Sequence, residues 1–388
     1  MSGARSFEFA APQQVIFGEG VAGRAGELAA GWGKKALVAL GASEEVVAPA
    51  LISLKAAGVQ VETARVKGEP TLASVEAALE QARQMGAEMV VGIGGGSALD
   101  TAKAVAALLA NGGELLDYLE VVGRGQTLRV ASKPCLCIPT TAGTGSEATR
   151  NAVVGVPEKQ VKVSLRGQGM LPRLALVDPE LTYSLPPAPT AFTGMDALTQ
   201  VIEPFVSVAA NPLTDAICRE GMRRGGGALR RAYRDGLDRQ ARAAMSFTSL
   251  AGGLALANAK LGAVHGFAGA LGGMLDAPHG AICARLLPLV MEANLRALQE
   301  RAPGSPALER YVEIARLTTG EAGAQAEDGA AWAAELVEDL RIPRLGEYGL
   351  TAEMLDEVVQ KSQNASSMKG NPLPLTEAEL KGILERAL

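Results

Sequence analysis

The stretch EMVVGIGGGSALDTAK, residues 88–103, runs an apolar segment into three glycines and then into a helical pattern. Glu88 to Ile93 reads as a strand that ends at Gly94, Gly95 and Gly96. Glycine lets a backbone adopt positive φ and approach a ligand closely. Ser97 is expected to open the following helix, with Asp100 three residues on, where a capping-box partner belongs. A helix start offers unpaired N–H groups and the positive end of the dipole, which suit a phosphate. The stretch is not G-x-G-x-x-G and lacks the lysine of a phosphate loop. Taken alone, it fits either a phosphate-binding loop or a tight strand-to-helix turn.

Outward from this loop, strands and helices alternate. KALVAL (35–40) reads as a buried strand with a helix following from Glu44, and 59–63 as a second strand. Residues 73–86 have helical spacing and a glycine stop, and further strands fall near 134–138, 152–164 and 174–179. Such alternation predicts a mostly parallel sheet covered by helices on both faces. The pattern changes at LPPAPTAF, 185–192, whose three prolines mark a boundary between domains 1–185 and 186–388. Beyond it the spacing predicts helices over 194–210, 212–234, 238–260, 263–273, 280–299, 306–319, 328–340 and 351–362, and no strand. The second domain is therefore expected to be all-α.

The 388 residues are 48% apolar and 20% charged, enough for two cored domains, and the net charge of −5 comes without any Lys/Arg-dense run. Nucleic acid is thus not an expected partner. The N-terminal MSGARSFEFAAPQQ has no apolar secretory core, and no uncharged run is long enough for a bilayer, so a membrane is not an expected partner either. The most apolar region, 244–277, is broken by Lys260, His265 and Asp276. Cys135, Cys137, Cys218 and Cys283 form no CxxC pair and read as buried free thiols of a reducing cytoplasm.

Three polar clusters carry candidate chemistry. IPTTAGTGSEAT (138–149) follows a strand, and its Thr140, Thr141 and Thr144 suit a diphosphate or ribose, or else a plain Gly/Thr turn. GMDALTQVIEP (194–204) sets Asp196 and Gln200 on one helix face, with Glu203 three residues further. An acid at a helix start reads equally as a dipole or capping residue. The two histidines of the chain, His265 and His279, both fall in AVHGFAGALGGMLDAPHG (263–280). With Asp196 they make a carboxylate and two imidazoles, a set suited to Fe²⁺ or Zn²⁺. The Gly/Ala-rich stretch from Ser246 to Met274 permits helices to pack closely around such a site.

Taken in order, FEFAAPQQVIFGEG, VGIGGGSALDTAK, IPTTAGTGSEAT, LVDPEL, GMDALTQVIEP, GAVHGFAGALGG, APHGAICARLLP and NPLPLTEAELKGILERAL resemble the iron-containing (group III) alcohol dehydrogenases, and the likeness covers nearly the whole chain. The resemblance implies the dehydroquinate synthase-like fold: an α/β dinucleotide-binding domain, a helical domain and an active site between them. It puts the diphosphate loop at Gly94, Gly95, Gly96 and Ser97 with Asp100, the threonine-rich cofactor segment at Thr140, Thr141 and Thr144, and a basic group near the nicotinamide ribose at Lys162. The Asp-His-His-His ligands of typical members fall on Asp196, Gln200, His265 and His279, of which Asp196, His265 and His279 are the expected catalytic set.

The chain departs from that pattern twice. Gln200 is a neutral and harder ligand than imidazole. Gly269 stands where many members carry a relay histidine. The first buried strand ends in Gly41 and Ser43 without the acid that holds the NAD ribose, so NADP is expected to be accepted along with NAD.

The expected activity is NAD(P)-dependent, metal-assisted hydride transfer between nicotinamide and a small alcohol or aldehyde, in a homo-oligomer of two or more chains. Alternatives are a metal-independent oxo-acid reductase resembling maleylacetate reductase, a dehydroquinate-synthase-like lyase, and a non-catalytic dinucleotide binder. Phe247, Leu254 and Phe267 are expected along the cleft.

Overall fold

The computed structural model describes residues 6–120, 122–159 and 161–388. Residues 1–5 of the N-terminal stretch and residue 160 within the 152–164 strand region lie outside the described residues. The first half runs β1 (Gln14–Phe17), α1 (Ala25–Ala29), β2 (Lys35–Leu40), α2 (Glu44–Ala56), β3 (Gln60–Arg65), α3 (Leu72–Met85), β4 (Met89–Gly94), α4 (Gly96–Asn111), α5 (Leu115–Tyr118), β5 (Cys135–Pro139), β6 (Asn151–Val156), β7 (Val161–Arg166) and β8 (Leu174–Val177). Six strands form one parallel sheet in the order β1-β8-β5-β4-β2-β3. Successive residues alternate between its faces. Leu37, Ala39, Val90, Cys135 and Cys137 enter one core with α3 and α4. Ala36, Val38, Met89, Val91, Leu136 and Ile138 enter the opposite core with α1 and α2. Both faces are covered, as a parallel sheet requires.

Strand β2 has β3 on one side and β4 on the other, so chain direction across the sheet reverses there. At such a switch point the loops beyond the strand ends diverge and leave a crevice that binds ligands. Gly41, after β2, and Gly94–Gly96, after β4, both lie at this point. A side chain on Gly94 would stand 2.8 Å from the Gly41 Cα and 2.7 Å from the Ala98 Cβ, so the two loops meet at a distance only glycine allows.

Three expectations are corrected here. Helix α4 begins at Gly96 with Gly95 as its cap and no capping side chain, so Ser97 and Asp100 form no capping box. Asp100 instead accepts from Ser146 Oγ at 2.5 Å and Val153 N at 2.9 Å, and pairs with Lys103 Nζ at 3.0 Å. Lys103 is wholly buried and donates to Thr149 Oγ1 at 2.7 Å and the Asn151 carbonyl at 2.5 Å. The DTAK turn thus anchors the threonine-rich loop and the next hairpin. Second, the 152–164 region is the antiparallel hairpin β6–β7, apart from the main sheet. Third, β1 is an edge strand that the spacing did not reveal. Its following loop is tied to β8 through Asp178, which accepts from Gly20 N at 3.1 Å and Ala22 N at 3.0 Å.

The second half is helical: α6 (Pro187–Val206), α7 (Pro212–Arg234), α8 (Arg239–Asn258), α9 (Ala263–Met274), α10 (His279–Arg301), α11 (Pro306–Thr319), α12 (Ala326–Asp339), α13 (Leu355–Gln363) and α14 (Glu377–Ala387). Helix α6 starts seven residues before the expected 194, because prolines in a first turn forgo only N–H groups that have no helical partner. Asp196 consequently lies mid-helix and is no cap. Helix α14 was not expected, although Thr376 and Glu379 form a capping box at its start. Among the described residues, no helix is long and apolar enough to cross a membrane.

Two measurements test the polar anchor. Lys103→Met takes the counter-charge from Asp100 and a donor from Thr149 Oγ1 and the Asn151 carbonyl, and is expected to lower unfolding free energy in urea by about 3–5 kcal/mol. Glu147, beside this network, has one carboxylate oxygen without a partner, and burial raises its pKa to about 7. The folded chain then keeps this proton to higher pH than the unfolded chain. Stability is full below the ordinary value of 4.5 and falls as pH rises through about 7. Glu147→Gln should match the native chain at pH near 5 and exceed it above neutrality by an amount on the order of 3 kcal/mol.

Candidate active site

Helix α6 carries Asp196, Gln200 and Glu203 on one face, and all three are buried. Helix α9 brings His265 against that face. Its Nδ1 lies 2.7 Å from Glu203 Oε2 and its Nε2 lies 3.2 Å from Asp196 Oδ1. The other Glu203 oxygen accepts from Val264 N at 2.7 Å, which fixes the carboxylate behind the ring. Helix α10 begins at His279, whose Nε2 is 3.9 Å from Asp196 Oδ1. Gly280 permits this approach, since a Cβ there would meet the Phe192 carbonyl at 2.3 Å. One turn on, Cys283 Sγ stands 3.6 Å from His279 Nε2 and 3.9 Å from His265 Nε2. One donor atom each from Asp196, His265, His279 and Cys283 falls within 4.8 Å of all the others. The His279 side chain retains 36% exposure against 3% for Asp196, so the cluster opens on the His279 side.

The electrostatics of this cluster call for a cation. Burial opposes ionisation of Asp196, but the His265 hydrogen bond and the charges of both imidazoles outweigh it and hold the carboxyl below its usual range. Burial also opposes charge on His265, yet Cys283, Asp196 and Glu203 together raise this ring well above its ordinary value. His279 is raised chiefly by Cys283, against burial. A proton on His265 Nε2 occupies the direction in which a metal ion would bind, with Nδ1–H held by Glu203 as the outer carboxylate of a metal-ligating histidine usually is. Gln200 donates its amide nitrogen to the Gly143 carbonyl at 3.2 Å, leaving Oε1 buried and without a partner. An orphaned buried acceptor one helical turn from Asp196 is what a bound divalent ion would satisfy. The residues present therefore fit such an ion.

Gly143 belongs to the threonine-rich loop, which joins this cluster to the glycine loop. Thr141 packs on Gly95 and Thr144 on Gly96, where any added Cβ would fall within 3.4 Å of the threonine side chains. Gly145, at φ +59°, accepts no side chain either, because Gly253 of α8 lies 2.4 Å from where its Cβ would be. Ser249 Oγ accepts from Gly145 N at 3.2 Å. Gly41, Ser43, Gly94–Gly96, Ser97, Thr140, Thr141 and Thr144 are thus gathered around the switch point and the adjoining loop.

Asp100 lies behind them with its carboxylate engaged as described. Lys162 pairs with Glu69 at 2.5 Å and overhangs Gly272, on the α9 face that also carries His265. Gly269 has open space where a side chain would point.

One expected cleft residue, Phe267, is corrected here, while Phe247 and Leu254 pack on residues of the first half of the chain. Phe267 is wholly buried in the helical core, and Phe247 packs edge-on against Phe17 under Arg224. Leu254 packs beside Ala148, Val177 and Leu250. The spacing alone gives Glu203 no role and makes Cys283 an ordinary buried thiol; the fold puts both against the histidines. The signal for Cys283 was its place four residues after His279.

A family model described as iron-containing alcohol dehydrogenase matches residues 12–179, and one for the C-terminal part of that family matches residues 190–388. Alcohol dehydrogenase 4 of Saccharomyces cerevisiae is 38% identical over 324 residues, covering 83% of this chain and 82% of that protein. The solved structure of an alcohol dehydrogenase from Oenococcus oeni superimposes with a TM-score of 0.90 at 33% identity, over 99% of this chain and 100% of the other. Sulfoacetaldehyde reductase from Bifidobacterium kashiwanohense, solved in complex with NAD+, superimposes with a TM-score of 0.85 at 28% identity over 98% of each chain.

Removing the carboxylate behind His265 tests the cluster without touching a donor atom. Glu203→Gln is expected to weaken Zn²⁺ binding roughly ten- to hundredfold, read by chelator competition, with the circular dichroism spectrum unchanged.

Proposed function

This chain belongs to the iron-containing alcohol dehydrogenase family, and from that premise we propose that it is an NAD(P)-dependent alcohol dehydrogenase and aldehyde reductase acting on small substrates. The observation that carries the proposal is the convergence of Asp196, His265 and His279 at the domain junction, one loop away from the glycine-lined switch point. A divalent ion held there would act as a Lewis acid on the substrate oxygen, and the nicotinamide would exchange the hydride.

The residues of this chain supply position and charge. Asp196, His265 and His279 would hold the ion, with Gln200 as a neutral neighbour, and Glu203 fixes the His265 ring from its Nδ1 side. Gly94–Gly96 and Ser97 receive the diphosphate at the start of α4, whose N-terminus carries no capping side chain. Thr140, Thr141 and Thr144 line the same loop cluster, and Lys162 stands on the nicotinamide side. Gly269 leaves room for substrate one turn from His265. The division of labour falls at residues 1–185 and 186–388.

NADP acceptance is part of this reading. Gly41 and Ser43 put no carboxylate at the ribose. Arg65, at the end of β3, donates to the carbonyl of Ala42, next to Ser43, at 2.7 Å. The same reading includes self-association into a dimer or larger assembly, and a reducing compartment such as the cytoplasm, in keeping with four free thiols. A metal-independent oxo-acid reductase, prompted by Gln200 and Gly269, has the four-donor cluster against it.

Protein reconstituted with Fe²⁺ or Zn²⁺ is expected to oxidise short alcohols with rising absorbance of the reduced cofactor, and to reduce the matching aldehydes. His265→Ala should lose bound metal and turnover together, the latter on the order of 100-fold or more. Turnover that survives complete metal removal would overturn the metal-assisted reading. Ser43→Asp should lower the NADPH-to-NADH ratio of kcat/KM by roughly tenfold or more, because its carboxylate would repel a 2′-phosphate.

A further inference from the structure

We propose that Cys283 is itself a metal ligand in this chain. Its sulfur takes the fourth protein-donor place that a neutral Gln200 fills poorly, and the resulting Asp/His/His/Cys set favours zinc over iron. The inference rests on the metal-dependent reading above and concerns which atoms and which ion complete it.

Geometry is the first ground. Donors around one zinc ion, at bond lengths of about 2.0–2.3 Å, stand roughly 3.3–3.6 Å apart in a tetrahedral arrangement. Cys283 Sγ is 3.6 Å from His279 Nε2 and 3.9 Å from His265 Nε2, and His265 Nε2 is 3.2 Å from Asp196 Oδ1. The His279 Nε2–Asp196 Oδ1 separation is 3.9 Å and the four donors all lie within 4.8 Å of one another, so the set faces one centre and needs a contraction of about 1 Å or less to close on an ion. The hydrogen-bonding contacts of Cys283 Sγ are the two imidazole nitrogens, whereas Cys135 and Cys137 point into the core between the sheet and α4, with their sulfurs 3.8 Å apart.

Charge and orientation give the second ground. With Glu203 held behind His265, Asp196 and a Cys283 thiolate would put two anionic donors in direct contact with a divalent ion, where Asp196 with a neutral amide would put only one. The Gln200 amide is tethered through its nitrogen to the Gly143 carbonyl, so its orientation is set by the loop. Thiolate is a soft donor that selects zinc among the common divalent ions, while a carboxylate and imidazoles alone serve iron as well.

Cobalt(II) reports the donor set directly. Metal-free protein loaded with one equivalent of Co²⁺ is expected to show the near-ultraviolet sulfur-to-cobalt charge-transfer band together with visible d–d bands. Cys283→Ser should lose the charge-transfer band and bind zinc roughly tenfold or more weakly, since even loss of an outer-sphere partner costs that much. Its preference for Zn²⁺ over Fe²⁺ in anaerobic competition should fall as well. Should that variant fail to fold, a variant with Cys135, Cys137 and Cys218 all replaced by alanine must keep the band. Visible d–d bands without the charge-transfer band would overturn the cysteine ligand and leave the metal-dependent reading standing. Failure to bind Co²⁺ or Zn²⁺ at all, with cofactor-dependent turnover intact, would overturn both.

Discussion

Helix α6 buries two carboxylates, Asp196 and Glu203, two turns apart in an otherwise apolar helical core. Withdrawing each from water costs several kcal/mol unless opposite charge and hydrogen bonds compensate. His265 lies between the two and answers both, with Glu203 behind it and Asp196 in front. This arrangement fixes the orientation of the ring, with a carboxylate at each nitrogen. It also leaves Asp196, His279 and Cys283 around a point where positive charge is favoured. A carboxylate held ionised inside a protein, with imidazoles as its nearest partners, is in electrostatic terms a cation site.

The α/β half presents a second requirement at the same junction. Six parallel strands covered on both faces leave a crevice where the connections after the paired strands β2 and β4 run in opposite directions, and the glycines just beyond the strand ends come within contact distance. The threonine-rich loop answers both halves at once. Thr141 and Thr144 rest on the glycine loop, Gly143 accepts from Gln200, and Gly145 meets Gly253 backbone to backbone. The buried Asp100–Lys103 pair holds that loop from behind. Position is thereby transmitted from the glycine loop to the donor cluster through a few short, rigid contacts.

Much of this was legible in the residues. The strand-glycine-helix junction at 88–103 gave the parallel α/β half, and unbroken helical spacing beyond residue 194 gave the all-α half. Asp196, His265 and His279 stood out because histidine is so scarce in the chain. Less legible was whatever depends on tertiary geometry. Asp100 looks like a capping residue locally, but the hairpin packed behind α4 claims its carboxylate. Phe267 was expected along the cleft, but α9 is buried on most sides and takes it into the helical core. The edge strand β1 is too short to declare itself by periodicity, and its partners come from residues 174–177. Cys283 carries no signal except its spacing from His279, and that acquires meaning only when α6, α9 and α10 are seen to converge.

Anomalous diffraction is the most direct measurement of the central claim. Crystals of the metal-reconstituted chain, measured on either side of the absorption edge of the bound element, should give a single strong peak enclosed by Asp196, His265 and His279. A peak elsewhere, or none with His265 still hydrogen-bonded to both carboxylates in fully reconstituted protein, would contradict it.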